Sequence, residues 1–250
     1  GRSLEEVLGV SYRINGEARH NPDQVPVTLD HLPLPAFDLL PMGRYSYELM
    51  GDRFALFEMS RGCASHCTFC LLKTYGHGVR KKSVGTLIRE VEYGIKHFGV
   101  RRAYFMDLEF TVLRQQVLEL CRYLIEAGHD FTWCCQTRLD LVDEELLIWM
   151  KRAGCQLMHF GVEAGSDRVL EIVNKGITIE RIREGMRLVK KAGIATVTFF
   201  MMGFPESSDQ DMKDIVALAR ELKPDYPIFH IAAPYPGTPL HEQVKNDATL

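Results

Sequence analysis

Cys63, Cys67 and Cys70 stand at a C-x3-C-x2-C spacing directly after an apolar run, Phe54-Ala-Leu-Phe-Glu-Met59. Three thiolates on one short loop can each take one iron of a cubane [4Fe–4S] cluster. Electron carriers supply a fourth thiolate and close the cluster; with three, one iron stays open to another ligand. The same residues admit other chemistry. Zinc accepts mixed sulfur and nitrogen ligands at short spacings, so a Cys3His site using His66 or His77 competes, as would a zinc-stabilised binding module without catalysis. A redox or disulfide pair fits less well. Seven cysteines in 250 residues form no paired framework and point to a reducing compartment.

The elements that must position these thiols follow from periodicity. Apolar strand candidates fall at 54–59, 102–107, 131–136, 156–162, 195–202 and 227–232. Between them lie helical faces. Val84, Leu87, Ile88, Val91, Ile95 and Phe98 recur at i, i+3, i+4, i+7, and similar stripes run from Leu113 to Leu124, Ile179 to Val189 and Met212 to Leu222. Thr178 and Ser208 are candidate N-caps, and Gly99, Gly128, Gly154 and Gly193 sit just past helix ends. Alternating strands and helices with short loops imply an α/β fold with a parallel sheet and right-handed crossovers. Six such units suit a partial (β/α)6 barrel or an open doubly wound sheet, and in both the chemistry sits at the strand C-termini. The cysteine loop follows the first strand. Cys134 and Cys135, adjacent on the third, point to opposite faces.

Other strand ends carry polar groups. After the second comes Phe105-Met-Asp107-Leu-Glu109, whose carboxylates can accept from an ammonium or, for Asp107, cap a helix. After the third come Gln136 and Arg138, the latter a partner for a carboxylate ligand or for Asp140 or Asp143. Gly161-Val-Glu163-Ala-Gly165 ends the fourth, with Lys175 twelve residues beyond Glu163. Gly203-Phe-Pro205 ends the fifth, and Ala233-Pro-Tyr-Pro-Gly-Thr-Pro-Leu240 the sixth.

In this order the motifs resemble those of the radical S-adenosylmethionine (SAM) superfamily. The cysteine triad with Phe69 before its last member is similar to that family's cluster motif. There the open iron binds the amino and carboxylate groups of SAM, and one electron cleaves SAM to a 5′-deoxyadenosyl radical. The resemblance implies a partial (β/α)6 barrel. It also implies cluster ligation by Cys63, Cys67 and Cys70, and SAM contacts from Phe69, Asp107, Glu109, Gln136, Arg138, Glu163, Lys175 and Gly203. Catalytic side chains are not assigned by it. The usual Gly-Gly-Glu form is absent at 107–109. The linker Asp30-His-Leu-Pro-Leu-Pro-Ala-Phe-Asp38 further resembles the connector of superfamily members that carry an N-terminal cobalamin-binding domain, among them class B methylases and anaerobic Mg-protoporphyrin ester cyclases. Implied partners are an organic small molecule and a one-electron donor such as flavodoxin or ferredoxin; the apolar run Phe199-Phe-Met-Met202 favours a hydrophobic substrate or plain core. A tRNA methylthiotransferase without cobalamin is the alternative within the superfamily.

Composition sets bounds. At 46% hydrophobic, the chain can bury one large core or two small ones. A net charge of −3 gives no electrostatic argument for nucleic acid, and Arg80-Lys-Lys82 is an isolated basic run. No apolar stretch is long enough to span a bilayer, and no signal peptide is evident, so a cytoplasmic setting is expected. Residues 1–50, rich in Pro, read as a hairpin around Asn15-Gly16 followed by an extended linker at Leu32–Phe37, and 51–250 as the core barrel. The abrupt start at Gly1 and stop at Leu250 suggest a piece of a longer protein.

Overall fold

The structure, a computed structural model, describes residues 3–72 and 78–246; His77 and Leu250 lie outside them. Six strands build one sheet: β1 (Phe54–Phe57), β2 (Arg102–Phe105), β3 (Thr132–Thr137), β4 (Cys155–Glu163), β5 (Ala195–Met202) and β6 (Tyr226–Ile231). Their spatial order repeats their chain order, and every neighbouring pair is parallel. A doubly wound sheet reverses its order part-way and carries helices on both faces. Here the order never reverses, so right-handed crossovers put the helices on one face. The result is the wall of a partial barrel, with β1 and β6 as its two open edges.

The helices are α1 (Val84–Phe98), α2 (Arg114–Ala127), α3 (Glu144–Arg152), α4 (Asp167–Ile172), α5 (Ile179–Lys191), α6 (Asp209–Leu222) and α7 (Pro239–Val244). Thr178 and Ser208 cap α5 and α6 as expected, Ser208 through a reciprocal capping box with Asp211. Gly99 and Gly128 end α1 and α2 in the left-handed conformation. The short helices α3, α4 and α7 escape a periodicity argument, although Asp143, Ser166 and Thr238 cap them.

The two faces of the wall differ. The helix side holds the main core, with Phe105, Trp133, Cys135, Phe160 and Phe200 fully buried. The lumen side holds a small cluster of Met50, Cys134, Leu157 and Val197. The neighbours Cys134 and Cys135 thus take opposite faces, as a period of two requires. Phe200 belongs to the helix-side core while Phe199 packs on the lumen side. Every residue of β6 is exposed. No helix among the described residues is long and apolar enough to cross a membrane.

The N-terminal region is bound to the barrel rather than strung beside it. Its hairpin pairs Ser11–Ile14 with Glu17–His20. Asn15 and Gly16 both have positive φ in the two-residue turn, which that turn geometry demands. The linker expected to be extended, Leu32–Phe37, carries no helix over 32–36, and 3-10 turns flank it at Leu29–His31, Phe37–Leu39 and Met42–Arg44. Burial explains the second: the turn at Phe37 swings its ring against Phe57 and Phe98, with centroids 5.9 and 5.7 Å away. Asp30 then reaches the start of α1, where its Oδ1 accepts from the Ser83 amide and hydroxyl at 2.8 Å each.

Hydrogen bonds from Thr86 and Ser83 hold the Asp30 carboxyl at a pKa of about 2, below its ordinary 3.8. A lowered folded-state pKa stabilises above the unfolded value and loses that contribution as pH falls. Asp30→Ala is therefore expected to lower Tm at neutral pH, and the gap to wild type should narrow as pH falls from 3.8 toward about 2. Thermal melts across that range check this; a gap independent of pH would contradict it.

Candidate active site

The loop between β1 and α1 carries the three thiols and is pinned at both ends. At its entry, the wholly buried Asp107 accepts from the Met59 amide at 3.0 Å and from the Ser60 hydroxyl at 2.5 Å. Ser60–Arg61 pairs antiparallel with Arg80–Lys81, and the Lys82 amide donates to the Met59 carbonyl at 2.8 Å. The Lys82 ammonium is buried against both oxygens of Glu90, at 3.0 and 2.8 Å. Gly62 has φ +95 and a Cβ there would lie 2.1 Å from the Gly78 carbonyl, so only glycine lets the two limbs approach. Between the ends, the Thr68 amide donates to the Val173 carbonyl, the Leu240 amide donates to the Thr68 carbonyl, and the Asn174 side chain donates to the His66 carbonyl. The loop is thus tied to the ends of α4 and the start of α7.

Held this way, Cys63, Cys67 and Cys70 face a cavity of about 200 Å³ at the strand C-termini. Phe69, Glu109, Gln136, Arg138, Glu163 and Lys175 line the same cavity, together with Ser65, Thr137, His159 and Phe199. Two residues expected at the SAM site lie elsewhere. Asp107 neither caps a helix nor faces the cavity, because its carboxylate holds the loop entry; Leu113 occupies the N-cap of α2. Gly203 lines a separate cavity with Pro205, Ala232 and Pro234. Its successor Phe204 is nevertheless buried against Phe69, centroids 5.7 Å apart, so that turn supports the thiol loop.

The two cations differ in what they leave free. A guanidinium has five N–H donors, and Arg138 commits all of them. Nε and Nη2 bind Asp140 at 2.9 Å each, Nη2 also reaches the Gly176 carbonyl at 3.1 Å, and Nη1 reaches the Lys175 carbonyl at 2.6 Å and Ser65 Oγ at 3.3 Å. Arg138 is a strut between the thiol loop and the 175–176 turn, and the Asp140 pairing is the one it adopts; Asp143 instead binds Arg114. Lys175 has three donors and gives one to Glu163 Oε1, 3.0 Å away. Burial opposes its charge, but Glu163 and the Cys67 sulfur outweigh that and raise its pKa.

Glu163 reaches this position through backbone distortion. The β4–β5 register shifts between Gly161 and Glu163, and Glu163 has φ +68, costing a non-glycine residue about 1 kcal/mol. A bulge re-aims a side chain. A Cβ on Gly161 would lie 2.1 Å from Glu163 Oε1 and 2.8 Å from Lys175 Nζ, so glycine makes room for the ion pair.

Beneath these groups lies a feature that sequence reasoning assigned no role. His159 Nδ1 must donate to the Cys135 carbonyl at 3.2 Å, which leaves Nε2 to accept from the Tyr47 hydroxyl at 3.1 Å. Burial lowers its pKa, which favours the neutral ring. Its signal was available: His159, Gly161 and Glu163 alternate along one strand and share its face. Gln136 Oε1 accepts from the Tyr104 hydroxyl at 3.0 Å.

The donor set suits a cluster. Burial pushes the Cys63 thiol up to about 11 and raises Cys67 and Cys70 as well, with Lys175 and Arg138 pulling Cys67 back, so loading must displace protons. Among the described residues no group of three or more His, Cys, Asp or Glu side chains is placed to hold a single metal ion. A cubane takes one thiolate at each of separate corners, and three thiols on one loop facing one cavity supply three.

The family model of the Radical SAM superfamily matches residues 57–219. The chain belongs to this superfamily. Among its relatives, an uncharacterised methyltransferase of Pyrococcus horikoshii is 33% identical over 244 residues, covering 97% of this chain and 53% of that protein. The anaerobic magnesium-protoporphyrin IX monomethyl ester cyclase of Cereibacter sphaeroides is 28% identical over 220 residues, covering 86% and 36%. The chain thus spans about half or less of the length of these relatives. In fold, this radical SAM chain matches the methyltransferase TsrM of Kitasatospora setae, solved with cobalamin and a [4Fe–4S] cluster, at a TM-score of 0.75 and 19% identity over 97% of this chain and 49% of that one. The cobalamin-dependent radical enzyme OxsB matches at 0.75 and 23%, over 99% and 37%.

Removing one partner of a buried ion pair strands the other. Lys175→Met is expected to lose about 3 kcal/mol of stability, and the double variant Lys175→Met/Glu163→Leu to recover most of it. Denaturant melts measure both; a double variant no better than the single would contradict the pairing.

Proposed function

We propose that this chain is the catalytic core of a radical SAM enzyme acting in cobalamin-dependent C-methylation or a related ring-forming reaction. The observation that carries the reading is the single cavity shared by Cys63, Cys67, Cys70, Glu109, Glu163 and Lys175. The three thiolates would hold the [4Fe–4S] cluster. When bound, the cluster supplies the electron that cleaves SAM to a radical able to take hydrogen from an unactivated carbon. The chain's own residues bind and orient. Glu109 keeps acceptor capacity for an ammonium beyond its bond to Ser65, and Lys175 keeps donors for a carboxylate beyond its bond to Glu163. Glu163 would serve the ribose, and Phe69 the cluster side of the pocket.

Relatives named as methyltransferase and as cyclase support the reaction class. We read residues 1–50 as a connector toward a cobalamin-binding region and 51–250 as the core; the buried Phe37 and the Asp30 contact to α1 favour a connector that fixes such a region over the barrel. The open edge strands leave the lumen accessible to an organic, largely apolar substrate, and the seven free cysteines suit a reducing, cytoplasmic setting with a small one-electron donor.

Cys63→Ser is expected to lose the bound cluster after anaerobic reconstitution, measured as iron and sulfide per chain. A variant retaining wild-type iron would contradict the ligand assignment. A full-length parent that binds no cobalamin would remove the corrinoid part of the reading and leave the radical SAM core.

A further inference from the structure

We propose that Ser65 sets the reduction potential of the cluster through a hydrogen bond to the Cys63 sulfur, an inference that rests on the cluster assignment above. The Ser65 amide donates to Cys63 Sγ at 3.3 Å. A peptide in an irregular loop stays aimed at a sulfur only if something fixes it, and here the Ser65 side chain does. Its Oγ donates to Glu109 Oε1 at 2.7 Å and accepts from Arg138 Nη1 at 3.3 Å. These two partners come from the ends of different strands, β2 and β3, so the amide is referenced to the barrel rather than to its own loop.

Both partners are themselves held. Arg138 is bound by Asp140 and by the carbonyls of Lys175 and Gly176. Glu109 is buried, with Arg138 Nε 3.9 Å from its Oε1. The arrangement explains why Arg138 has no donor left for a ligand: its work is to hold the 175–176 turn and the Ser65 hydroxyl in one frame. Hydrogen bonds to cluster sulfurs are among the levers that set reduction potential. An N–H beside a ligating sulfur favours the state with more negative charge, which is the reduced one, and so raises the potential. Ser65 is accordingly a positioning residue. Its substitution changes no formal charge in the cavity, unlike that of Glu109 or Arg138, and therefore isolates the hydrogen bond.

The test is an EPR-monitored redox titration of anaerobically reconstituted wild type, Ser65→Ala and Ser65→Thr, with iron and sulfide counted in each. The expected result is equal cluster content in all three, a midpoint potential shifted negative in Ser65→Ala, and a return to the wild-type value in Ser65→Thr, which restores the hydroxyl. An unshifted potential in a fully loaded Ser65→Ala overturns the proposal and leaves the cluster assignment intact. Loss of the cluster in Ser65→Ala also overturns it, because Ser65 would then govern assembly rather than potential. A wild type that assembles no cluster overturns the cluster assignment as well.

Discussion

Asp107 carries no reactive role, yet the site depends on its burial. A carboxylate taken out of water costs several kcal/mol unless hydrogen bonds replace its hydration, and burial does raise its pKa against the pull of those bonds. The donors it finds are the Met59 amide and the Ser60 hydroxyl, where the thiol loop leaves β1. The exchange is mutual: the loop entry satisfies the carboxylate, and the carboxylate fixes the direction in which the loop departs. From that fixed entry, the amide and side chain of Lys82 close the far end. The thiols then hang between two anchors, with α4, α7 and Phe204 holding the middle.

The second constraint is electrostatic. Around the thiols, each buried cation has a carboxylate: Arg138 has Asp140, Lys175 has Glu163. Such pairs persist in a low-dielectric cavity only with good geometry and further hydrogen bonds. Arg138 meets that requirement completely and is therefore inert toward ligands. Lys175 and Glu109 meet it in part, which leaves one cation and one carboxylate with free valence in the same cavity. That is the complement of a zwitterionic amino-acid moiety.

Much of the architecture was legible in the sequence because it rests on local rules. The six strands, the long helices and the caps at Thr178 and Ser208 follow from period and cap chemistry. The thiol triad was read from its spacing, and the place of Glu163 and Lys175 beside it was implied by the resemblance to the radical SAM motifs. What was hidden depends on long-range contacts. Whether Asp107 or Glu109 faces the cavity is decided by the loop that claims the first of them. Whether Arg138 binds a ligand is decided by carbonyls at 175 and 176. The 3-10 turn at Phe37 arises because its ring has a pocket to fill, and the Tyr47–His159 bond joins residues 112 positions apart, beyond the reach of any spacing rule.

A cluster held by three thiolates keeps one iron open for SAM. The most direct test is EPR of the anaerobically reconstituted, reduced protein with and without SAM. The expected result is a [4Fe–4S]⁺ signal whose shape shifts when SAM is added. A signal indifferent to SAM, or a zinc-loaded protein silent in EPR, would contradict it.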